Sequence, residues 1–500
     1  MRPTADTPLT AAEVARGQQH LVRDAAWGSL AGSLHGGVIL VGFALALGAR
    51  PVHVGLLAAI PLLMQAVQLP AIVLVERVGQ RRRIAVSTLA AARALVLLLA
   101  LLPFLSDAST QLGLLILAHT AISALGSTCA CSLNSWLHQL LPRDGLGAFF
   151  SRRLFWGTAA ACIGTLAGGL FIDHAPVEDK TWAYAACLAL GAAAGFISCS
   201  YLARTPEPRM PPAWAHGSVW SRLKLPFSDH NFRHFLVFTA GWNAASSFAA
   251  PFLTVYLMEQ LGLPLGTVTT LWVVSQVANA LTLYAWGRIS DRLSNKGILS
   301  VALPAWFACL LALAFAAEPS RHAFTLPLLY LLHIVMGAAA GGIGLANGNI
   351  GLKLAPHGQA TAYLAAISLT GALFGGLAPL AGGAAAQWLE DAGLKLSLVL
   401  DWSGNGLNDW AVIAFTHWEF LLVASGLAGL YVLHRLSKVS EGVEVSEREV
   451  VQQFALEAVR TVNQLSSVGG MLGSLFTFGR LFDRRLYLRA GSRPAGRSPA

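Results

Sequence analysis

Charged residues are scarce in this chain of 500 residues. Asp, Glu, Lys and Arg make up 12% of the sequence, hydrophobic residues make up 55%, and the mean hydropathy is +0.59. A soluble protein has roughly twice that share of charged residues, most of them on its surface. The composition therefore excludes a soluble globular protein and indicates a chain embedded in a membrane.

Cysteine is also rare, and its placement excludes two kinds of site. All six cysteines lie inside apolar runs, where they form neither a disulfide framework nor a zinc spacing. Cys129 and Cys131 stand two residues apart, so on a helix they point to different faces. They are interpreted as packed thiols, and neither a metal nor any other cofactor is expected.

A cleavable signal peptide is missing as well, because the first 26 residues are too polar to supply its apolar core. Residues Thr10 to Glu13 match a capping box, which predicts a short amphipathic helix in front of the first apolar run. Residues 1–26 are therefore expected to form an N-terminal segment outside the membrane.

Long apolar runs, by contrast, are abundant. Twelve of them reach about 20 residues, the length at which a helix crosses the hydrocarbon core of a bilayer. Backbone groups in lipid must bond within their own segment, and the alternation of period two that marks a membrane barrel is absent. The expected fold class is an all-α membrane protein with 12 transmembrane helices. The runs lie at 28–49, 52–75, 84–106, 111–140, 153–173, 182–203, 234–257, 265–289, 298–317, 324–351, 360–387 and 412–434.

The net charge of +9 is distributed in a way that indicates topology. If the charged loops at 76–83 and 287–297 face the cytoplasm, that side has sixteen Lys and Arg residues in its loops, against four on the other side. This bias is typical of a protein of the cell inner membrane with both termini in the cytoplasm. The bilayer is the expected partner of this basic chain, and nucleic acid is not.

The two charged loops contain the most specific pattern in the sequence. The later one reads GRISDRLSNKG at 287–297, and the earlier one reads LVERVGQRRR at 74–83. Both resemble the loop signature of the major facilitator superfamily (MFS), Gly-x-x-x-Asp-Arg-x-Gly-Arg/Lys-Arg/Lys. The later loop departs from it at Ser294 and Asn295, which replace the second glycine and the first basic residue. The earlier loop has Glu76 at the acidic position and no glycine at its head.

The chain also repeats internally with an offset of 214 residues. This offset maps Leu47-Gly48 to Leu261-Gly262, His119 to His333 and Gly157 to Gly371. Two halves of six spans are therefore expected, and the MFS resemblance implies that they form two bundles related by an axis along the membrane normal. The predicted domains are 1–26, 27–203, a cytoplasmic linker at 204–232, 233–436 and a cytoplasmic amphipathic tail at 437–500.

The resemblance further implies which spans line a central cavity, namely the first, fourth, seventh and tenth. Polar residues in lipid-embedded helices usually face the interior of the bundle. The alternative for each of them is a hydrogen bond to a neighbouring helix. The predicted cavity residues are His35, Asn134, Trp242, Asn243, His333, Asn347 and Asn349.

A gate at the inner end of the cavity is implied in the same way. An acidic side chain at one helix end can face the positive N-terminus of another helix. By resemblance, Glu76 approaches the start of the eleventh span near 358–361, and Asp291 approaches the start of the fifth near 145–153. The predicted gating residues are Glu76, Arg77, Gly79, Gly287, Asp291 and Arg292.

No carboxylate is expected in the middle of any predicted span, which leaves histidine as the candidate proton carrier, with His35 best placed. Arg93 is the one cation well inside a span. A buried Arg suggests an anionic partner, but pairing with Glu76 or extension toward the inner interface is favoured over contact with substrate.

These features predict a secondary transporter, active as a monomer, that moves a small organic solute by alternating access. Export is favoured, and coupling to protons is considered. Uptake, lipid transport, a non-transporting sensor and a membrane enzyme remain alternatives. An enzyme is not expected, because the sequence contains no metal spacing, nucleophile elbow or phosphate loop.

Two further segments have simpler predictions. The long loop at 388–411 is expected to be a solvated connector, and a cap over the outer mouth of the cavity is the alternative. The tail contains a second capping box at Ser446 to Glu449, followed by an apolar helical face. This tail is expected either to lie in the membrane interface or to dock on the bundle.

Overall fold

Twelve helical spans follow one another in the computed structural model, which describes residues 10–466 apart from 106, 143–145, 209–225, 293, 317–322, 357–359, 392, 401–407 and 442–446. Within this described part, ten spans are long and apolar enough to cross a membrane. The other two, the seventh and eighth, are helical at the expected places but contain several Thr, Ser, Gln and Asn residues. The all-α architecture of the bundle is as expected.

The first half contains spans 1 to 6. Span 2 is interrupted by a 3-10 turn at Met64–Val67, and similar turns, Leu102–Phe104 and Val177–Asp179, follow span 3 and precede span 6. The spans are Ala11–His35 with Gly37–Ala46, Pro51–Leu63 with Gln68–Val78, Arg81–Leu99, Ala108–Leu140, Leu146–His174 and Lys180–Ala203.

The second half contains spans 7 to 12. Span 7 continues beyond its main helix through Ala250–Phe252, Leu253–Val255 and a π-helical turn at Tyr256–Gln260. A further helix, Glu447–Ser466, follows span 12 and is called the tail helix. The spans are His230–Ala249, Leu265–Arg292, Asn295–Leu313, Thr325–Leu354, Ala360–Trp388 and His417–Ser437.

The helix bounds confirm the internal repeat. Span 2 starts at residue 51 and ends at 78, and span 8 starts at 265 and ends at 292, an offset of 214 at both ends. Spans 3 and 9, and spans 5 and 11, are related by the same offset. The glycines that follow spans 1 and 7, Gly48 and Gly262, both have positive φ, 81° and 63°. Both halves therefore use the same left-handed turn there.

Span 1 starts earlier than the sequence predicted. The capping box is present, because the Glu13 backbone N–H donates to the Thr10 hydroxyl and the Glu13 carboxylate accepts from the Thr10 backbone N–H. The helix that it caps is not a separate short one. It runs without a break from Ala11 to His35, and the first bend comes at Gly36 and Gly37, where Gly37 has a φ of 53°.

The connector between spans 11 and 12 contains a β-hairpin. Strand β1, Leu394–Leu400, pairs antiparallel with strand β2, Asn408–Phe415, with a register shift between Leu396 and Ser397. The prediction of a plain connector was wrong, because this segment forms a hairpin. Leu394, Leu396, Leu398 and Leu400 alternate with other residues in β1.

Glycines allow close contact between helices at several crossings. A side chain at Gly337 of span 10 would meet the backbone carbonyl of Ser275 in span 8. In the first half, Gly164 of span 5 lies against Leu30 and Ser33 of span 1. Such contacts between small residues replace the hydrophobic driving force that is absent between helices in lipid.

Replacing Gly337 by Ala is expected to lower the unfolding midpoint of the purified protein. The added methyl group meets backbone rather than a mobile side chain, so spans 8 and 10 must separate at a cost of about 1–3 kcal/mol. Gly344→Ala on the same helix is the control, because nothing lies within 4 Å of a methyl group there. Equal midpoints for the two variants would contradict this account of the crossing.

Candidate functional site

The two ends of the bundle can be told apart by the charged loops. Spans 2 and 8 end, and spans 3 and 9 begin, at these loops. We call this the signature end and the other the opposite end. The starts of spans 2 and 8 contact the ends of spans 11 and 5 at the opposite end, so Glu76 and Asp291 belong to the same end of the bundle.

The halves meet at the opposite end. Asp173, at the end of span 5, accepts a hydrogen bond of 2.5 Å from the backbone N–H of Gly266, in the first turn of span 8. A carboxylate at a helix N-terminus is favoured by the unpaired backbone N–H groups and the helix dipole. Gly169 of span 5 lies against Thr269 beside this bond. No role was predicted for Asp173 from the sequence.

A second contact between the halves lies beside the first. Gly55 of span 2 lies against the carbonyl of Pro379, and Gly383 lies against the backbone of Pro51 and Val52. Further along, Leu63 of span 2 approaches Gly376. Spans 2 and 11 are therefore in close backbone contact from the opposite end to about their middles.

Contact between spans 2 and 11 decreases toward the signature end. The last helix of span 2, Gln68–Val78, makes no comparably extensive contact with span 11 within the described residues. Its side chains Ile72, Val73 and Leu74 are exposed. One hydrophobic cluster includes residues of both halves, whereas the cluster around Leu21 and Trp136 belongs to the first half alone. Among the described residues, the contacts between spans 2 and 11 therefore lie toward the opposite end.

The predicted gating residues are only partly described. Glu76 and Arg77 are exposed, and Gly79 ends span 2 with a φ of 65°, a conformation that favours glycine. Gly287 has open space around it. The side chains of Asp291 and Arg292 and residues 357–359 lie outside the described part. The contacts of Glu76 and Asp291 across the inner gate therefore stay predictions.

Four predicted cavity residues form local or packing contacts. His333 is buried and bonds to the carbonyl of Leu329 on its own helix (2.8 Å), and Asn243 donates to Thr239 (2.8 Å). Trp242 packs edge-on against Trp306 of span 9, with ring centroids 5.1 Å apart. Asn349 donates to Ser290 (2.8 Å) at the signature end. For these residues the geometry favours the structural alternative.

The other three predicted cavity residues differ in their contacts. Asn134 is exposed on span 4. Asn347 of span 10 has a buried side-chain carbonyl oxygen with no hydrogen-bond partner. His35 contacts Arg93, whose Nη1 lies 3.3 Å from the His35 Nε2. A buried acceptor without a partner is costly and is normally satisfied by water or a ligand.

Arg93 extends into the first half rather than toward Glu76. Its side chain crosses Gly195 of span 6, where any side chain would collide with it, and ends beside His35 of span 1. The pairing with Glu76 that the sequence favoured was wrong, because the small residue in span 6 opens a path inward. The Nε of Arg93 is buried without a partner.

His35 is held in a neutral form by its two contacts. Its Nδ1 bonds to the carbonyl of Ala31, which requires a proton on Nδ1, and its Nε2 then accepts from Arg93. A second proton would remove this acceptor and place two cations side by side. The geometry therefore argues against His35 as the proton carrier.

A buried carboxylate that the sequence analysis missed lies on the same helix. Asp24 is 6% exposed, accepts a 2.6 Å hydrogen bond from the Ser198 hydroxyl and lies 4.0 Å from Arg153 Nη2. Asp24 was predicted to lie in the segment before the first span, outside the membrane, where a carboxylate is ordinary and indicates no site. The unbroken helical sequence from Ala11 onward was the signal that could have revealed it.

The second signature loop is organised by hydrogen bonds between spans 8, 9 and 10. Ser290 donates to the Asn295 side chain (2.6 Å), and Asn349 donates to both. Glu441, four residues after the end of span 12, accepts from Asn295 (2.6 Å). Asn295 occupies the first basic position of the MFS pattern, so this departure has a specific partner.

The first signature loop uses an arginine in the equivalent place. Arg81 lies 214 residues before Asn295, is fully buried, and donates to the carbonyls of Ser135 (3.0 Å) and Pro208 (2.6 Å). Glu207, four residues after the end of span 6, lies 3.8 Å from it. Each half thus places an acidic residue from beyond its sixth span against its signature loop.

Comparison with known proteins agrees with this architecture. The model of the Major Facilitator Superfamily matches residues 27–379, more than half of the chain. The chain therefore belongs to the Major Facilitator Superfamily, whose members form a class of membrane transporters. No curated protein matches it by sequence.

Several solved structures share the fold at low identity. A variant of the nucleoside transporter NupG has a TM-score of 0.64 at 14% identity, covering 85% of this chain and 100% of its own. A bacterial homologue of the human lysosomal transporter Spinster, inward-facing and unoccupied, has 0.58 at 13%, covering 91% and 98%. A variant of the E. coli fucose:proton symporter FucP has 0.52 at 14%, covering 85% and 98%. These likenesses show the fold alone.

Removing the Ser198 hydroxyl is expected to destabilise the protein by about 1–3 kcal/mol, because the buried Asp24 carboxylate loses a donor. Ser198→Ala should therefore lower the unfolding midpoint. Ser200→Ala is the matched control, since Ser200 is half-buried and its hydroxyl bonds to its own helix at Ile197. If the two variants unfold alike, the Ser198 bond does not stabilise Asp24.

Proposed function

We propose that this protein is a secondary transporter that moves a small organic solute across the inner membrane by alternating access. The observation that carries the proposal is the asymmetry of contact between the halves. Asp173 caps span 8 at the opposite end, whereas Glu76 is exposed at the signature end. A space closed at one end and open at the other is what alternating access requires.

The excess of Lys and Arg in the loops of the signature end supports placing that end in the cytoplasm. On this orientation the structure corresponds to the inward-open state, and the bond between Asp173 and Gly266 acts as the outer latch. Transport then requires this latch to open while Glu76 and Asp291 close the inner gate.

A small, neutral or weakly anionic solute suits the polar groups near the space between the halves. Asn134 is exposed, and Asn347 has a free acceptor for a donor such as a hydroxyl or amide. Arg93 reaches inward from span 3 to His35, and its Nε has no hydrogen-bond partner. Neighbours that transport nucleosides and fucose lend support to a small polar organic solute. Export is the favoured direction.

Coupling to protons is assigned to Asp24 rather than to His35. The Asp24 carboxylate is buried between Ser198 and Arg153, with Arg93 in the same half. A carboxylate in such a place exchanges a proton when its cationic neighbours move, and the charge change then biases the two conformations. His35 fixes the position of Arg93.

Purified protein in liposomes is expected to transport at least one solute from a metabolite panel when a gradient is imposed. In Asp24→Asn we expect the stimulation by an imposed proton gradient to disappear, while exchange of labelled for unlabelled solute continues, because only the proton-binding group is lost. Flux and exchange are measured in the same liposomes.

Asp179→Asn is the control, since Asp179 is exposed at the start of span 6. Wild-type stimulation in Asp24→Asn would contradict coupling through Asp24. Flux of lipid alone, or no flux of any solute, would favour a lipid transporter or a sensor of the same fold.

A further inference from the structure

The chain segment after span 12 folds back onto the second signature loop. Glu441 accepts hydrogen bonds from the Ser294 hydroxyl (2.9 Å), the Asn295 amide (2.6 Å) and the Lys296 backbone N–H (2.7 Å), and its carboxylate lies 2.8 Å from Lys353 Nζ. Burial alone would raise the pKa of Glu441, but the hydrogen bonds from Lys353, Asn295, Lys296 and Ser294 outweigh it and lower the pKa to about 2. The group is therefore charged at physiological pH.

The tail helix makes a second set of contacts with the same loop. Val450 is fully buried against Gly297, and Phe454 stacks on Trp286 with ring centroids 4.2 Å apart. Glu457 is 1% exposed and lies 3.0 Å from Arg288 Nη1. A buried carboxylate paired with an arginine fixes orientation, and the stacked rings add apolar contact. The helix is therefore docked through both charge and packing.

The residues that contact the tail lie on both sides of Asp291, a predicted gating residue, in the sequence. Trp286 and Arg288 precede Asp291 by five and three residues, about one helical turn, and Ser294 and Asn295 follow it by three and four residues. Ser294 and Asn295 are also the two places where this loop departs from the MFS pattern. Both of these side chains bond to Glu441. Both residues that depart from the MFS pattern thus have a hydrogen-bond partner, Glu441, in the same chain.

All of these contacts lie within the second half. The tail touches spans 8, 9 and 10, whose packing on one another is preserved when two halves rock as rigid bodies. Because these contacts do not cross to the first half, docking of the tail orders the signature loop within the second half.

We propose that Glu441 and the tail helix form a clasp that holds the second signature loop in the position from which Asp291 closes the inner gate. The effect of the clasp on transport rests on the proposed function. The docking of the tail on the loop does not. When it is released, the loop between spans 8 and 9 loosens, and gate closure by Asp291 loses its fixed geometry.

Hydrogen exchange of the full-length protein in lipid nanodiscs tests the contact without any solute. Glu441→Gln and Glu457→Gln should each speed exchange of the backbone N–H groups of 294–297 by about tenfold. Val451→Ala is the control, because Val451 is 50% exposed on the same helix. The exchanged pair Arg288→Glu with Glu457→Arg should restore protection that Arg288→Glu alone removes.

Unchanged exchange at 294–297 in both single variants, or no restoration by the exchanged pair, would overturn the clasp. Flux measurements then test its consequence. Glu441→Gln and Asp291→Asn should each lower flux, and the double variant should be no slower than Asp291→Asn, because both act through one gate. Additive losses would overturn the link to Asp291.

The two arms separate failure of the clasp from failure of the proposed function. If wild-type protein moves no solute while exchange still rises in the variants, the proposed function fails and the docked contact stands. If flux is normal and the clasp variants change neither exchange nor flux, the clasp fails and the transporter stands.

Discussion

A carboxylate on a helix N-terminus holds the two halves of this protein together at one end. Asp173 of span 5 caps span 8 at Gly266, and small residues on both sides bring the backbones close enough for this bond to form. Spans 2 and 11 are in close contact toward the same end, whereas the last helix of span 2 has little contact with span 11 among the described residues. The cavity, the inner gate and the coupling site that we propose all depend on this geometry.

Polar residues inside the bundle divide into those that tie helices together and those that stay available. Asn349 and Asn295 connect spans 8, 9 and 10, and Arg81 connects span 3 to the linker after span 6. Such bonds keep each half rigid, which rocking requires. Asp24, Arg93 and the free oxygen of Asn347 are different, because their charge or hydrogen-bonding capacity is incompletely matched by the fixed structure.

The architecture could be predicted from the sequence because apolar runs and an internal repeat are visible along the chain itself. The offset of 214 that relates Gly48 to Gly262 also relates the helix bounds of spans 2 and 8. The site could be predicted only in part. Asp24 was missed because its helix extends beyond the apolar run, and the path of Arg93 depends on Gly195 in a different span. The partners of Asn349 and Glu441 depend on tertiary packing, which no spacing along the chain encodes.

Pulsed electron spin distances measured across both ends of the protein test rocking of the halves most directly. Spin labels at the exposed Val52 and Trp388 report the opposite end, and labels at the exposed Val78 and Leu352 report the signature end. In Asp173→Ala, loss of the outer latch should lengthen the first distance and shorten the second in a growing fraction of molecules. Distances that both stay at their wild-type values, or that change in the same direction, would contradict alternating access between these halves.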